Sequence, residues 1–140
     1  KGGYEDIVYF GEEVETALLD YLENNKVPSH SSRLKYALAL AACDNKEDRK
    51  YINGVIEESC GKQGIMSYVF SLHLLNNGFE PKGIVYERLV ETVLSMQLED
   101  GGWAVAGKVS DVDVTAMALQ ALARMRSTIV IALQVYISQI

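Results

Sequence analysis

The chain has 140 residues and a formal net charge of -6, with 49% apolar and 23% charged residues. That balance supplies enough apolar surface for a packed core and excludes a disordered chain. The acid excess leaves no basic patch to bind nucleic acid or an anionic membrane. The longest apolar run, Tyr36 to Cys43, is far short of the roughly 20 residues a membrane span requires. Lys1-Gly2-Gly3-Tyr4 reads as a cut edge with no signal peptide, and Cys43 and Cys60 permit one disulfide without making a disulfide framework.

The apolar spacing is helical from end to end. Val14, Leu18, Leu19 and Leu22 share one face, with Glu13, Glu15, Asp20 and Glu23 outward, which predicts an amphipathic helix ended by Asn24-Asn25-Lys26-Val27-Pro28. Ser31-Ser32 caps the next helix, whose Tyr36 to Ala42 stretch is apolar all round and expects burial on most sides. Amphipathic helices follow at about Asp48 to Glu58, Ile84 to Gln97 and Ser127 to Gln139, with apolar ones from Met66 to Leu75 and from about Asp113 onward. Val8-Tyr9 and Ile129-Val130-Ile131 have strand-like composition but are too short to outweigh the helical period.

The apolar helices repeat one another. Tyr36-Ala-Leu-Ala-Leu-Ala aligns with Tyr68-Val-Phe-Ser-Leu-His and with Thr115-Ala-Met-Ala-Leu-Gln. The intervals are uneven, with extra length in the Asn76-Asn77-Gly78 turn and the Gly101 to Ser110 loop. Enclosed and exposed helices alternating in antiparallel hairpins predict an all-α fold, a partial α/α barrel of about seven helices in which each repeat buries part of a shared core. Residues 1–140 are read as one domain, a fragment of a larger ring. The stretch Ile129 to Ile140 carries no charged side chain, so this last helix is expected to pack on a missing part or to form a homodimer surface.

Two motifs carry chemistry. Gln97-x-x-x-Gly101-x-Trp103 joins two helices through Gly101-Gly102, which supplies the left-handed backbone a helix exit needs, under an indole that covers the turn. Asp111-Val112-Asp113-Val114-Thr115-Ala116 opens the following helix. Ser110-x-x-Asp113 has the form of a capping box, and a carboxylate there is favoured by the positive helix end. This reading assigns Asp113→Ala a cost of about 1 kcal/mol.

Together these segments resemble the repeat unit of the α/α-toroid proteins: terpenoid cyclases such as squalene-hopene cyclase, the protein prenyltransferases and their non-catalytic relatives. The Gln97–Trp103 segment matches the core of the QW motif, departing from it upstream at Leu89 and Thr92. The resemblance implies that Gln97 bonds a neighbouring helix end while Trp103 packs over the turn. Asp111 to Ala116 is similar to the Asp-x-Asp-Asp-Thr-Ala signature of class II terpenoid cyclases. Asp113 holds the position of the proton donor, Asp111 precedes it, and Val114 replaces the last acid. Protonating an alkene demands a desolvated, strongly supported carboxylic acid.

The likeness covers roughly Ser31 to Ala123 and is nearest to prenyltransferase/squalene-oxidase repeats of bacterial surface or secreted proteins. It implies an extracellular or cell-surface setting and a non-catalytic role in holding a small apolar ligand or a protein partner. Tyr36 and Tyr68, equivalent in the repeat, are expected with His73, Asp111 and Asp113 on the cavity face. No cofactor is implied. His30 and His73 have no third ligand spaced to join them in a zinc site. A further reading comes from Cys60-Gly61-Lys62-Gln63, which is similar to the Cys-Gly-Glu-Gln of thioester domains, also toroids; there thiol and amide condense. The alternative is a buried, inert cysteine beside a helix-capping turn.

Overall fold

The structure is a computed structural model that describes residues 3–124 and 135–139. The described residues are all-helical, with no strand. Six α-helices run in chain order: α1 Gly3–Asn24, α2 His30–Ala42, α3 Arg49–Ser59, α4 Gly64–Asn76, α5 Tyr86–Ser95 and α6 Val112–Leu122. A 3₁₀ turn at Lys46–Asp48 leads into α3. The expected seventh helix, Ser127 to Gln139, lies outside the described residues except for 135–139, which are helical. No described helix is long and apolar enough to cross a membrane.

The repeat seen in the sequence is also an order of contact. α2 packs on α4, and α4 on α6; α3 packs on α2, α5 on α4, and α1 on α2. The three apolar helices therefore touch in succession, and amphipathic ones lean on them. α4 is the hub: Ile65, Val69, Leu72, Leu74 and Leu75 are buried on it, together with Ser67 and Ser71. Those two hydroxyls are satisfied within the helix, Ser67 donating to the Gly64 carbonyl and Ser71 to the Ser67 carbonyl, each at 2.7 Å. Small hydroxyls that bond to their own helix let neighbours approach without stranding a polar group.

α2 departs from expectation. Leu34, Ala37 and Leu40 are buried, whereas Lys35, Ala39 and Ala42 face solvent. Alanine is apolar enough to read as core yet small enough to leave exposed at little cost, so an apolar helix here buries only one stripe. α4 alone approaches burial on most sides.

The helix ends also differ in detail. Ser29, not Ser31-Ser32, is the N-cap of α2: its hydroxyl accepts from the Ser32 amide at 3.3 Å. Ser29 itself is extended, with φ -77° and ψ 124°, the backbone an N-cap takes. α4 ends as the Asn76-Asn77-Gly78 turn predicts. Gly78 takes a positive φ of 84°, its amide bonds to the Leu75 carbonyl, and the Phe79 amide reaches back to Leu74. These are the paired bonds of a Schellman ending. α5 is shorter than its apolar period, because Val85 is extended and serves as its N-cap.

Replacing Ser29 by alanine is expected to cost about 0.5–2 kcal/mol in urea unfolding, whereas Ser32→Ala should change stability by less than about 0.5 kcal/mol. Equal effects at the two positions would contradict the cap assignment.

Candidate functional site

The α5–α6 connection is the most highly bonded loop of the described residues. α5 ends at Ser95, and the chain doubles back through Leu98, whose amide donates to the Gly102 carbonyl at 2.8 Å while the Gly101 amide donates to Leu98 at 2.9 Å. Gly101 has a φ of 86°, and a Cβ there would collide with the backbone of Tyr136. Gly102 is equally constrained, since a Cβ would strike the Ser110 and Thr115 side chains. Glycine is required at both, for conformation at the first and for close approach at both.

Trp103 is fully buried. Its indole N–H donates to the Val93 carbonyl of α5 at 2.7 Å, and its backbone amide donates to Thr115 Oγ1 of α6 at 2.9 Å. Gln97 donates through Nε2 to the Gly101 carbonyl at 2.6 Å, closing its own loop. The bond from the indole ties the loop to the last turn of α5. Asp100, which the sequence reading passed over, clips the loop base: its carboxylate accepts from the Ser110 amide at 2.7 Å and from the Gly102 amide at 3.3 Å. The Ser110 amide above all holds the Asp100 carboxyl below the usual carboxylate range.

The capping box is corrected at the start of α6. The N-cap is Asp111, whose Oδ1 accepts from the Val114 amide at 2.9 Å. Ser110 lies one residue earlier, bound to Asp100. Asp113 falls in the first helical turn with its side chain in solvent. The cost that the capping-box reading gave to Asp113→Ala therefore moves to Asp111. An exposed carboxylate lacks the desolvation that alkene protonation asks.

The residues expected on the cavity face each have their own neighbours. Tyr36 turns to α1 and meets Tyr21 edge-on, ring centroids 5.8 Å apart. Tyr68 lies against Gly61, where an added Cβ would touch its phenol ring. His73 is half-buried against α6; burial pushes its pKa down and a hydrogen bond with the Met117 backbone opposes that shift. Among the described residues no group of three or more His, Cys, Asp or Glu side chains is placed to hold a metal ion.

The Cys60–Gln63 pair is drawn apart chemically. Gln63 Oε1 accepts from Ser29 Oγ at 2.9 Å and from the Ser31 amide at 3.0 Å, so it helps cap α2. Burial pushes the Cys60 thiol up, partly offset by a hydrogen bond with Ser71. A protonated thiol is a poor nucleophile. Cys43 and Cys60 are both free. His30 Nδ1 sits 3.2 Å from Ser59 Oγ, but Ser59 is fully buried, which closes it to a substrate carbonyl.

One feature has no local signature in the sequence. A cleft of about 410 Å³ opens between the exit of α4 and the start of α5. Phe79, Pro81 and the Tyr86 ring form its apolar wall, with Glu80, Glu87 and Arg124 at its rim. Among the described residues the Tyr86 hydroxyl is buried without a hydrogen-bond partner, a condition that costs about 1–3 kcal/mol. Burial pushes its pKa up, with Arg124 acting the other way. The cleft combines residues from Leu75 to Arg124, so no periodicity could have marked it.

Comparison of the chain with protein-family models, with curated proteins and with solved structures finds no match in any of the three. The functional reading consequently rests on the residues themselves.

Alanine at Asp111 is expected to destabilise the protein by about 0.5–2 kcal/mol, and alanine at Asp113 by less than about 0.5 kcal/mol, in parallel thermal and urea unfolding. A larger loss at Asp113 than at Asp111 would return the cap to the position expected from sequence.

Proposed function

We propose that the chain is a non-catalytic ligand- or protein-binding domain of the α/α-toroid kind, related to the squalene-hopene cyclase and prenyltransferase repeats of bacterial surface or secreted proteins. The toroid part is supported by the succession α2–α4–α6, with amphipathic helices leaning on it, and by the glycine-tryptophan brace between α5 and α6. The non-catalytic part is carried by one observation: the Asp113 side chain is exposed. A proton donor to an alkene must be desolvated and held neutral, and here the acid beside it, Asp111, is spent on a helix cap.

The residues that recommended chemistry in the sequence have structural work in this reading. Gln97, Gly101 and Trp103 fold a loop, Asp100 and Ser110 close its base, and Gln63 caps α2. What is left for function is surface and cleft, which fits binding. Fold likeness alone does not choose the ligand.

Incubation with squalene, oxidosqualene or geranylgeranyl diphosphate, followed by mass spectrometry of the extract, is expected to return the substrate unchanged. A cyclised product that disappears in Asp113→Asn would establish the cyclase alternative instead. The intact protein mass should equal that of the free-thiol sequence; a mass lower by about 17 Da, the ammonia lost on condensation, would establish the Cys60–Gln63 thioester.

A further inference from the structure

We infer that Glu15 of α1 and Asp48 of the 3₁₀ turn form a proton-sharing latch, which holds α1 on the body of the domain in acid and loosens as the pH rises. Such a latch adds a pH-sensitive device to the fold, whatever the domain binds.

The geometry joins two segments through a third residue. Asn45 caps the 3₁₀ turn, its Oδ1 accepting from the Glu47 amide at 3.0 Å. That bond orients the carboxamide, whose Nδ2 donates to Glu15 Oε1 at 2.6 Å. Glu15 is thereby held at the turn that carries Asp48. Asp48 stands at the start of α3 but, unlike Asp111, its side chain makes no cap bond there. Among the described residues its Oδ2 is buried without a hydrogen-bond partner. Two ionised carboxylates offer each other only acceptors, and a single proton supplies the missing donor.

The surrounding charges favour that proton. Burial first, then the hydrogen bond and charge of Glu15, then the charge of Glu47, push the Asp48 carboxyl above the usual carboxylate range. The Cys43 thiol at the end of α2 faces the same place, and after burial the Glu15 and Asp48 charges push it up as well. Among the described residues no cation offsets the push on Asp48. Arg49 is turned away, donating to the Gly78 carbonyl at 2.5 Å with its guanidinium carbon 4.5 Å from the Phe79 centroid. Lys46 lines a small cavity beside Asp44. The positive start of α3 favours the ionised form, and burial and the two glutamates oppose it.

α1 packs on α2, with Leu18, Leu19 and Leu22 against the core and Tyr21 edge-on to Tyr36. Loss of the shared proton sets two like charges against each other just ahead of that strip. An acid whose pKa is higher in the folded chain than in the unfolded one contributes stability that is complete below the unfolded pKa. That contribution is lost as the pH climbs through the folded value. The latch therefore holds in acid and weakens upward from the usual aspartate range.

The test is a carboxyl titration of the full chain by carbon-13 NMR, joined to amide hydrogen exchange at about pH 4 and about pH 7, corrected for intrinsic rates. Asp48 is expected to titrate above the usual aspartate range. Protection of residues 15–24 should fall at least about threefold between the two conditions, with α4 unchanged. Asp48→Asn, whose carboxamide donates to Glu15 without a bound proton, should keep that protection constant, and Glu15→Gln, donating the other way, should do the same. Titration of Asp48 at or below the usual range, α1 protection that ignores pH, a loss shared equally by α4, or the wild-type fall persisting in either variant would each overturn the inference.

Discussion

An indole N–H shut away from water has to find an acceptor inside the protein, and much of this structure follows from where Trp103 finds one. The acceptor is the Val93 carbonyl in the last turn of α5, while the tryptophan backbone is bonded to Thr115 in α6. One residue thereby fixes the end of one helix against the start of the next. The glycines before it are consequences of that fit. Gly102 must let Ser110 and Thr115 approach, and Gly101 must turn with positive φ beneath the Tyr136 backbone. Asp100 and Asp111 then pin the two edges of the loop through backbone amides. Such a tie matters most in a repeat architecture, where each unit buries only part of a shared core and depends on its neighbour for the rest.

The same economy explains why motifs that read as chemistry turn out as architecture. Carboxylates at a helix start, a cysteine and glutamine around a turn, and a glutamine ahead of a Gly-Gly-Trp loop are all good hydrogen-bonding groups near unsatisfied backbone ends. Helix termini need such groups whether or not a reaction is run there. Burial and spare valence separate the two uses. Asp113 has exposure without a cap bond, Asp111 and Gln63 each cap a helix, and among the described residues the Tyr86 hydroxyl has burial without any partner. Only the last of these conditions is left over after folding.

Much of the fold was legible because it is local and periodic. Leu18, Leu19 and Leu22 do pack on the core from α1, and the three aligned apolar segments are α2, α4 and α6, with α4 in contact with each of the other two. Caps were legible only to within a residue or two. Ser29, Ser31 and Ser32 are all competent caps, and so are Ser110 and Asp111; the bonds show Ser29 taking the Ser32 amide in one case and Ser110 bound to Asp100 in the other. Equivalence in the repeat does not carry identical neighbours with it. Tyr36 and Tyr68 align in sequence, yet one meets Tyr21 across a helix pair and the other lies over a glycine turn. The rim of the cleft joins residues far apart in the chain, a relation that helical spacing cannot express.

The central claim is that Trp103 couples α5 to α6 and does not merely fill space. Native-state hydrogen exchange of Trp103→Phe tests it most directly, because phenylalanine keeps an aromatic ring while removing the indole donor. The account predicts a loss of about 1–3 kcal/mol in global stability, with protection falling together in the last turn of α5 and the first turn of α6. Unchanged protection, or a loss confined to one of the two helix ends, would contradict it.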